Sequence, residues 1–327
     1  MGKTIQANRL IDTKNLSHVS WLEQRKQGLG GSDVAVAAGV SPFCGSWELW
    51  LEKTGRKERE FDAQAKERMA FGNILEPVIA QVFADKNPQF KIEKRNCIFQ
   101  HPTTKWALCN VDRVIYDTNK KSWGVLECKN VGEWAYRLGD WDDDQIPFYY
   151  MCQLQHMLYV LDLDWGYFGY FIGGNRFGQQ YVERDDELIA DLEKSCANFW
   201  NLVESGVEPT VDALSASALS EMYPPREESP AVDLSLDVDV IKALKKAQDT
   251  FSEAKLALDQ QKNEVKRLLE GAQIGLLGDH KVVTWKEQVS NRLDTSRLKK
   301  EMPDIASQYN KPSTSRVFKT NWKGLEI

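Results

Sequence analysis

The sequence predicts an α/β fold: a core with a central mixed β-sheet flanked by helices, followed by a C-terminal α+β extension with a long helix. Three observations predict it. Helical segments precede three strand-like segments, and a long apolar helix follows these strands. Two further strand-like segments flank Gly173, Gly174 and Asn175, a pattern typical of a β-hairpin. A helix with an acidic first turn closes the core.

The helices that precede the sheet are bounded by glycine and capping residues. A short amphipathic helix ends near Gly28, and Ser32 and Asp33 can then N-cap a helix of small residues that Gly39 closes. The longest of these helices carries apolar residues at helical spacing, with a mild interruption at Pro77. The predicted ranges are 16–26, 34–38, 46–54 and 64–85.

The strands of the predicted sheet are segments of alternating or β-rich composition. The third strand holds the sequence Val-Leu-Glu-Cys-Lys-Asn. The helix that follows it is long and apolar enough to pack on the sheet. The predicted strands are 90–100, 105–116, 123–131, 165–172 and 177–183, with helices at 145–161 and 185–203.

The composition changes near position 209, and the predicted domains change with it. They are a core at 1–210, a Ser- and Pro-rich linker at 211–236, and a C-terminal helical arm with a basic strand at 237–327. The long helix at 237–270 has an apolar residue every seven positions, but the companion positions include Ala and Gln. Packing on a neighbouring element is therefore favoured over a coiled coil. A strand at 281–286 and a short helix at 295–309 follow.

The bulk composition excludes several classes of protein. No apolar run in the 327 residues approaches the ~20 residues of a membrane span, and the N-terminus lacks an apolar signal-peptide core, so we expect a cytoplasmic protein. The 6 cysteines have no paired spacing and the 4 histidines lie far apart, which argues against disulfides and zinc. Any metal should then have oxygen ligands, as Mg²⁺ or Mn²⁺ does. The net charge of -6 is uneven, with a basic C-terminal end, so a local patch can still bind nucleic acid.

The third strand carries opposite charges on one face. Glu127 and Lys129 are two residues apart, so their side chains point the same way in a strand while Cys128 points the other way. If the preceding strand is an antiparallel neighbour, Asp112 converges on the same patch, and Glu76 lies on the long helix before it. A charged pair within a buried strand is costly unless it is paired or metal-bound. Carboxylates that hold Mg²⁺ beside a lysine are suited to phosphodiester hydrolysis.

Ordinary structural roles stay open for each of these residues. The charged pair can be an ion pair on a half-exposed strand, Asp112 an exposed strand-end acid and Glu76 a solvated helix residue. Gln155 and Tyr159 lie one turn apart on the apolar helix and can be buried polar groups with local partners. His156 is expected to pack or cap locally, because no second histidine lies near it in sequence.

Four motifs follow one another in the order of a known superfamily. They are Gly-Asn-Ile-Leu-Glu ending at Glu76, the aspartate Asp112, Glu-Cys-Lys at 127–129 and Gln-His-Met-Leu-Tyr at 155–159. The set resembles the RecB-like branch of the PD-(D/E)XK nuclease superfamily, although the proline that precedes the family's aspartate is absent here. The segment Trp-Leu-Glu-Gln-Arg-Lys-Gln-Gly-Leu-Gly-Gly-Ser-Asp at 21–33 is similar to a block of the phage lambda exonuclease and YqaJ viral recombinase family.

The resemblance implies a PD-(D/E)XK restriction-endonuclease-like core and a metal site. The implied cofactor is Mg²⁺ or Mn²⁺, with two ions per active site. Lys129 would assist the attacking water. The implied metal ligands are Asp112, Glu127, Glu76 and the backbone carbonyl of Cys128.

The resemblance also implies residues that contact DNA. Arg25 and Ser32 match family positions that hold the 5′-phosphate, and an arginine fork with a helix N-terminus suits an anion. Gln155 would position the site or the DNA. Tyr159 and Trp21 would support the site.

The activity that the resemblance implies is a Mg²⁺-dependent 5′-to-3′ double-stranded DNA exonuclease. It would leave 3′ overhangs on linear DNA for a single-strand annealing protein of the RecT/Bet type, in phage-type homologous recombination. Many relatives form toroidal trimers, so a homo-oligomer encoded by a phage or prophage in a bacterial host is expected. The alternatives are an endonuclease of restriction or junction type, a DNA-end-binding recombination scaffold, and a protein-binding module built on the C-terminal helix.

Overall fold

The computed structural model describes residues 3–58, 61–133, 136, 141, 145–225, 231–311 and 317–323. The chain forms two compact units, Met1–Pro225 and Arg226–Ile327. Within the described ranges, none of the helices has the length and apolar character needed to cross a membrane.

The helices of the first unit are α1 (His18–Arg25), α2 (Gly31–Ala37), α3 (Ser46–Lys53), α4 (Ala63–Lys86), α5 (Phe148–Leu161), α6 (Asp186–Ser205) and α7 (Ala216–Met222). Its strands are β1 (Asn8–Asp12), β2 (Phe90–Glu93), β3 (Cys97–Gln100), β4 (Leu108–Cys109), β5 (Arg113–Asp117), β6 (Ser122–Val131), β7 (Trp165–Ile172) and β8 (Arg176–Glu183).

A five-stranded mixed sheet forms the centre of the first unit, in the order β2-β5-β6-β7-β8. Neighbouring strands are antiparallel except β6 and β7, which are parallel. Parallel neighbours need a crossover connection, and α5 lies in that connection. The pairing of Arg113 with Leu126 brings the segments that hold Asp112 and Glu127 side by side. The predicted α/β class with a central mixed sheet is confirmed.

Helices cover both faces of this sheet. On one face, Leu154, Leu158 and Leu161 of α5 are fully buried in a cluster with alternate residues of β6 and β7. On the other face, α4 buries Ile79 and Phe83. Each of these side chains contributes roughly 2 kcal/mol by leaving water. The packing fixes which side of β6 each residue faces.

Two segments that the sequence predicts as single strands are each divided between two sheets. Residues 90–100 form β2 and β3, and residues 105–116 form β4 and β5. A second sheet, in the order β1-β3-β4, includes a strand that was not predicted. Asn110 lies where the chain passes from β4 to β5, and its side chain donates to the Cys97 carbonyl on β3 at 3.1 Å. Alternating residues are equally suited to both sheets, so the pattern does not show the break.

Two helices also differ from the prediction: one begins at a different residue, and the other was not predicted. Helix α2 is N-capped by Gly30 rather than by Ser32, because the Asp33 carboxylate reaches back and accepts the Gly30 N–H at 2.9 Å. Helix α7 lies inside the predicted linker, where Ala218 is buried in a cluster with aromatic residues of α3. The first compact unit therefore continues to Pro225, beyond the predicted core boundary at 210.

The second unit contains α8 (Val238–Leu269), the hairpin β9 (Ile274–Leu277) and β10 (His280–Thr284), α9 (Thr295–Glu301) and α10 (Pro303–Gln308). The predicted strand at 281–286 is β10, and the predicted helix at 295–309 is divided in two at Met302. Of the predicted basic strand, residues 312–316 lie outside the described residues and residues 317–323 form no strand. Instead, Thr320 and Trp322 donate to the Gln248 side chain on α8 at 3.2 and 2.8 Å.

Candidate active site

The charged pair on β6 lies beneath α5. Glu127 and Lys129 share one face of β6, as the sequence predicts, and alternate with residues that pack on α4, such as Leu126 and Cys128. Their face is the one covered by α5. Lys129 Nζ donates to Glu127 Oε1 at 2.8 Å. Glu127 is only 4% exposed, which makes this a buried ion pair rather than a surface one. Such a pair needs further partners to offset the loss of hydration.

Asp112 stands immediately before β5 and joins this pair. Its Oδ2 accepts the backbone N–H of Cys128 at 2.8 Å, which fixes the carboxylate against β6. Burial, and then the negative charge of Glu127, raise the pKa of Asp112 well above its usual value of 3.8. A cation bound between the two carboxylates would stabilise the charged form of Asp112.

Helix α5 supplies two residues that the sequence analysis did not assign to the site. Gln153 donates from Nε2 to Glu127 Oε1 at 2.6 Å and accepts from Lys129 Nζ at 2.9 Å. The ring centroid of Tyr150, one turn earlier, lies 4.4 Å from Lys129 Nζ. We call Asp112, Glu127, Lys129 and Gln153 the acid–lysine cluster.

The structure does not bring Gln155 or Tyr159 into the cluster, which corrects their assignment. Gln155 is 2% exposed, and its amide donates to the Glu183 carbonyl at 2.7 Å and accepts the Asp185 N–H at 2.9 Å. Tyr159 donates to Glu193 at 2.9 Å. Both side chains join α5 to the region around the start of α6. Side chains two positions apart on a helix point in nearly opposite directions, so Gln155 cannot face the cluster when Gln153 does.

Glu76 lies next to Asp112 but is held by cations of the protein. The Arg113 guanidinium pairs with Glu76 and also donates to the backbone carbonyl of Asp112 at 2.5 Å. Lys94 Nζ donates to the same oxygen of Glu76 at 3.1 Å. In this structure Glu76 is therefore the counter-ion of Arg113 and Lys94 rather than a member of the cluster.

Arg25, Ser32 and Trp21 lie together, as the motif predicts. Arg25 Nη2 donates to Ser32 Oγ at 2.9 Å, and its guanidinium lies 4.9 Å from the Trp21 ring centroid. Gly31 connects this group to the acid–lysine cluster, because a Cβ at Gly31 would lie 3.0 Å from Gln153 Cγ. Helix α2 thus packs directly on α5 at the glutamine of the cluster.

Comparison with known proteins gives the family. Residues 20–164 match the YqaJ-like viral recombinase domain. The chain is 34% identical over 319 residues to "Uncharacterized protein YqaJ" of Bacillus subtilis strain 168, an alignment that covers 96% of this chain and 97% of that relative. The chain belongs to the YqaJ-like viral recombinase family. The matched domain contains the whole acid–lysine cluster together with Trp21, Arg25 and Ser32.

Two solved structures resemble this YqaJ-like chain at low sequence identity. An alkaline exonuclease (LHK-Exo) from Laribacter hongkongensis is 20% identical with a TM-score of 0.48, and the match covers 57% of this chain and 93% of that one. A phage-related exonuclease from Haemophilus somnus 129PT is 11% identical with a TM-score of 0.37, and the match covers 60% of this chain and 96% of that one.

A divalent cation, which the motifs of this YqaJ-like domain imply, fits the oxygen atoms of the cluster. Glu127 Oε2 is buried and has no hydrogen-bond partner among the described residues, so it is an acceptor that a cation would satisfy. No three His, Cys, Asp or Glu side chains converge on one point in the described part of the chain. Asp112 and Glu127 would therefore hold the ion, with the Cys128 carbonyl and water as further oxygen ligands.

Proposed function

We propose that this protein is a divalent-metal-dependent deoxyribonuclease that degrades linear duplex DNA from its 5′ ends. The observation that carries the proposal is the buried Glu127 oxygen, which has no partner among the described residues and lies beside a lysine held by Gln153. Packing of α5 on β6 does not require the ion pair of Glu127 and Lys129, because a protein with apolar residues in place of a buried ion pair is often equally stable. The arrangement supports a role in binding metal and phosphate.

The residues of the cluster would divide the work of phosphodiester hydrolysis. Mg²⁺ or Mn²⁺, when bound, polarises the scissile phosphate and lowers the pKa of a bound water. Asp112 and Glu127 would hold the ion, and a second ion at Glu76 would have to displace Arg113 and Lys94.

Lys129 is suited to orienting the attacking water and offsetting phosphate charge. Burial lowers the pKa of Lys129, but the charges of Glu127, Tyr150 and Asp112 and the hydrogen bond to Glu127 together raise it above its usual 10.5. As a cation, Lys129 would donate hydrogen bonds to the water and the phosphate. The amide of Gln153 fixes the direction of its Nζ.

Arg25 and Ser32 would bind the 5′-phosphate of a DNA end. An arginine pairs with phosphate as a two-pronged donor, and the hydroxyl of the exposed Ser32 lies beside it. The contact of Gly31 with Gln153 places this group next to the cluster, as an enzyme that cuts close to a DNA end requires.

The proposal includes a 3′ overhang as product, a single-strand annealing protein as partner, and a ring-shaped homo-oligomer.

The test uses three DNA substrates, each with Mg²⁺ or with EDTA: a linear duplex with 5′-phosphate ends, the same duplex with 5′-hydroxyl ends, and a covalently closed circle. We expect mononucleotides from the phosphorylated linear duplex and only with Mg²⁺. Asp112→Asn and Lys129→Met should each slow cleavage about 10³-fold. Asp117→Asn is the matched control at the other end of β5, since asparagine can still accept the backbone N–H of Asn119 and Lys120.

The possible results separate the proposed roles. Cleavage near the wild-type rate by Asp112→Asn or Lys129→Met would refute the site assignment. Cutting of the closed circle would leave the cluster as the catalytic site but refute end recognition. Tight binding of DNA ends without cleavage of any substrate would favour a DNA-binding scaffold.

A further inference from the structure

A buried network of charges supports Arg25 from the side away from solvent. Asp33 Oδ1 accepts from Arg25 Nη2 at 3.0 Å, and Asp33 Oδ2 accepts from Lys53 Nζ at 2.7 Å. Lys53 Nζ also donates to the backbone carbonyl of Arg25 at 2.8 Å. The side chains of Lys53 and Asp33 are 0% and 8% exposed, whereas that of Arg25 is 23% exposed. The network thus joins α1, α2 and α3 and reaches solvent through Arg25.

The charges of Asp33 and Lys53 determine the net charge that an anion meets at Arg25. Burial favours the neutral acid, but the charges of Lys53 and Arg25, together with the hydrogen bonds from Lys53 and the Gly30 N–H, hold the pKa of Asp33 well below its usual 3.8. Two cations and one anion leave a net charge of +1. Without Lys53, the charge of Asp33 would cancel that of Arg25, and an approaching phosphate would meet a neutral pair.

The network is a costly way to join three helices. A lysine without solvent exposure loses its hydration, and an apolar residue of similar volume would join the helices at least as well. Helix α3 already buries Trp47, Trp50 and Leu51, so Lys53 is not needed to anchor it. The placement of the charge is better explained by its effect on Arg25.

We propose that Lys53 is a positioning residue for recognition of a terminal phosphate. It would neutralise Asp33 and fix the backbone of Arg25, so that Arg25 presents one uncompensated positive charge to a phosphomonoester. The inference rests on the proposed function, in which Arg25 and Ser32 bind the 5′ end of DNA.

The experiment measures end selectivity in full-length variants. The readout is kcat/KM for a 5′-phosphorylated duplex divided by kcat/KM for the 5′-hydroxyl duplex, with Mg²⁺ and one protein preparation. Unfolded protein lowers both values equally, so the ratio does not report stability. Lys53→Met removes the buried cation, and the double variant Asp33→Asn/Lys53→Met restores the net charge of +1 present in the wild type. Lys57→Met is the matched control, since Lys57 pairs with Glu221 at 2.6 Å instead.

We expect Lys53→Met to lower the ratio about tenfold through KM, the double variant to recover most of it, and Lys57→Met to leave it unchanged. Fluorescence anisotropy in EDTA measures the affinity for each duplex. The ratio of the two affinities should rank the variants in the same order as the ratio of kcat/KM values. A wild-type ratio in Lys53→Met would overturn the inference and leave the proposed function standing. A double variant as unselective as Lys53→Met would overturn the charge argument. A wild-type protein that does not distinguish the two ends would overturn the 5′-phosphate role itself.

Discussion

Gln153 holds the two charged groups of β6 in fixed positions. Its amide donates to Glu127 and accepts from Lys129, at 2.6 and 2.9 Å. Gln153→Leu leaves both charges in place but removes their common partner, so we expect kcat to fall about 100-fold with little change in KM. Steady-state cleavage of a phosphorylated duplex measures both constants. A folded Gln153→Leu variant with wild-type kcat would remove this residue from the catalytic site.

Gln155→Leu is the matched comparison, because the same substitution falls two positions further along the same helix. It leaves the carbonyl of Glu183 and the N–H of Asp185 without their side-chain partner. The net contribution of a hydrogen bond is about 1 kcal/mol, so loss of both should lower the free energy of unfolding by about 2 kcal/mol. Urea denaturation measures this loss, and kcat of the folded protein should stay near wild type. A stable but inactive variant would return Gln155 to the site.

At the scale of helices and strands, the sequence predicts the type of element better than its partners. The hairpin predicted at 165–172 and 177–183 is found at Trp165–Ile172 and Arg176–Glu183, because its turn glycines are a local signal. The breaks within 90–100 and 105–116 were not predictable, since alternation does not identify the sheet to which a residue belongs. The same limit applies to α5, whose helical character was predicted but not the side that faces β6.

His156 links α5 to β4 and should make the stability of the first unit depend on pH. As expected from the sequence, it packs locally: it is 4% exposed, and its Nε2–H donates to the Leu108 carbonyl at 3.0 Å. Burial lowers the pKa of His156 from 6.5 to about 4. Between these pH values the unfolded chain binds a proton that the folded chain excludes. The contribution of His156 to the free energy of unfolding therefore falls as the pH decreases through this range, by roughly 3 kcal/mol in total.

Urea denaturation near pH 7 and near pH 4 tests this dependence. His156→Gln keeps a donor for the Leu108 carbonyl but cannot take up the proton. Its free energy of unfolding near pH 4, relative to its own value near pH 7, should therefore be about 3 kcal/mol higher than in the wild type. His280→Gln, at an exposed position on β10, is the control and should behave like the wild type. Equal pH dependence in the wild type and His156→Gln would mean that the folded protein also accepts the proton.

At the scale of the whole chain, the site is assembled from segments far apart in sequence. Asp112, Glu127 and Lys129 were predictable because each belongs to a short pattern in a fixed order, whereas Glu76, Gln155 and Tyr159 of the same patterns lie outside the cluster. Gln153 and Lys53 were not predictable, because neither stands out locally: one is a polar residue of an apolar helix, and the other is a lysine in the last turn of α3, where a cation is ordinary. Their roles follow from contacts with Glu127 and Asp33, which no local pattern contains.

The first compact unit should be sufficient for cleavage, because the acid–lysine cluster and Arg25 all lie within Met1–Pro225. The unit does not end at 210: the Asp212 carboxylate accepts the Trp47 N–H at 3.4 Å, and Ala218 is buried beside Trp47. We expect a 1–225 fragment to cleave phosphorylated duplex with near wild-type kcat, and a 1–210 fragment to lose about 3 kcal/mol of unfolding free energy in urea denaturation. A folded but inactive 1–225 fragment would mean that cleavage requires residues 226–327. It would then favour the alternative in which this region is a binding module on which the function depends.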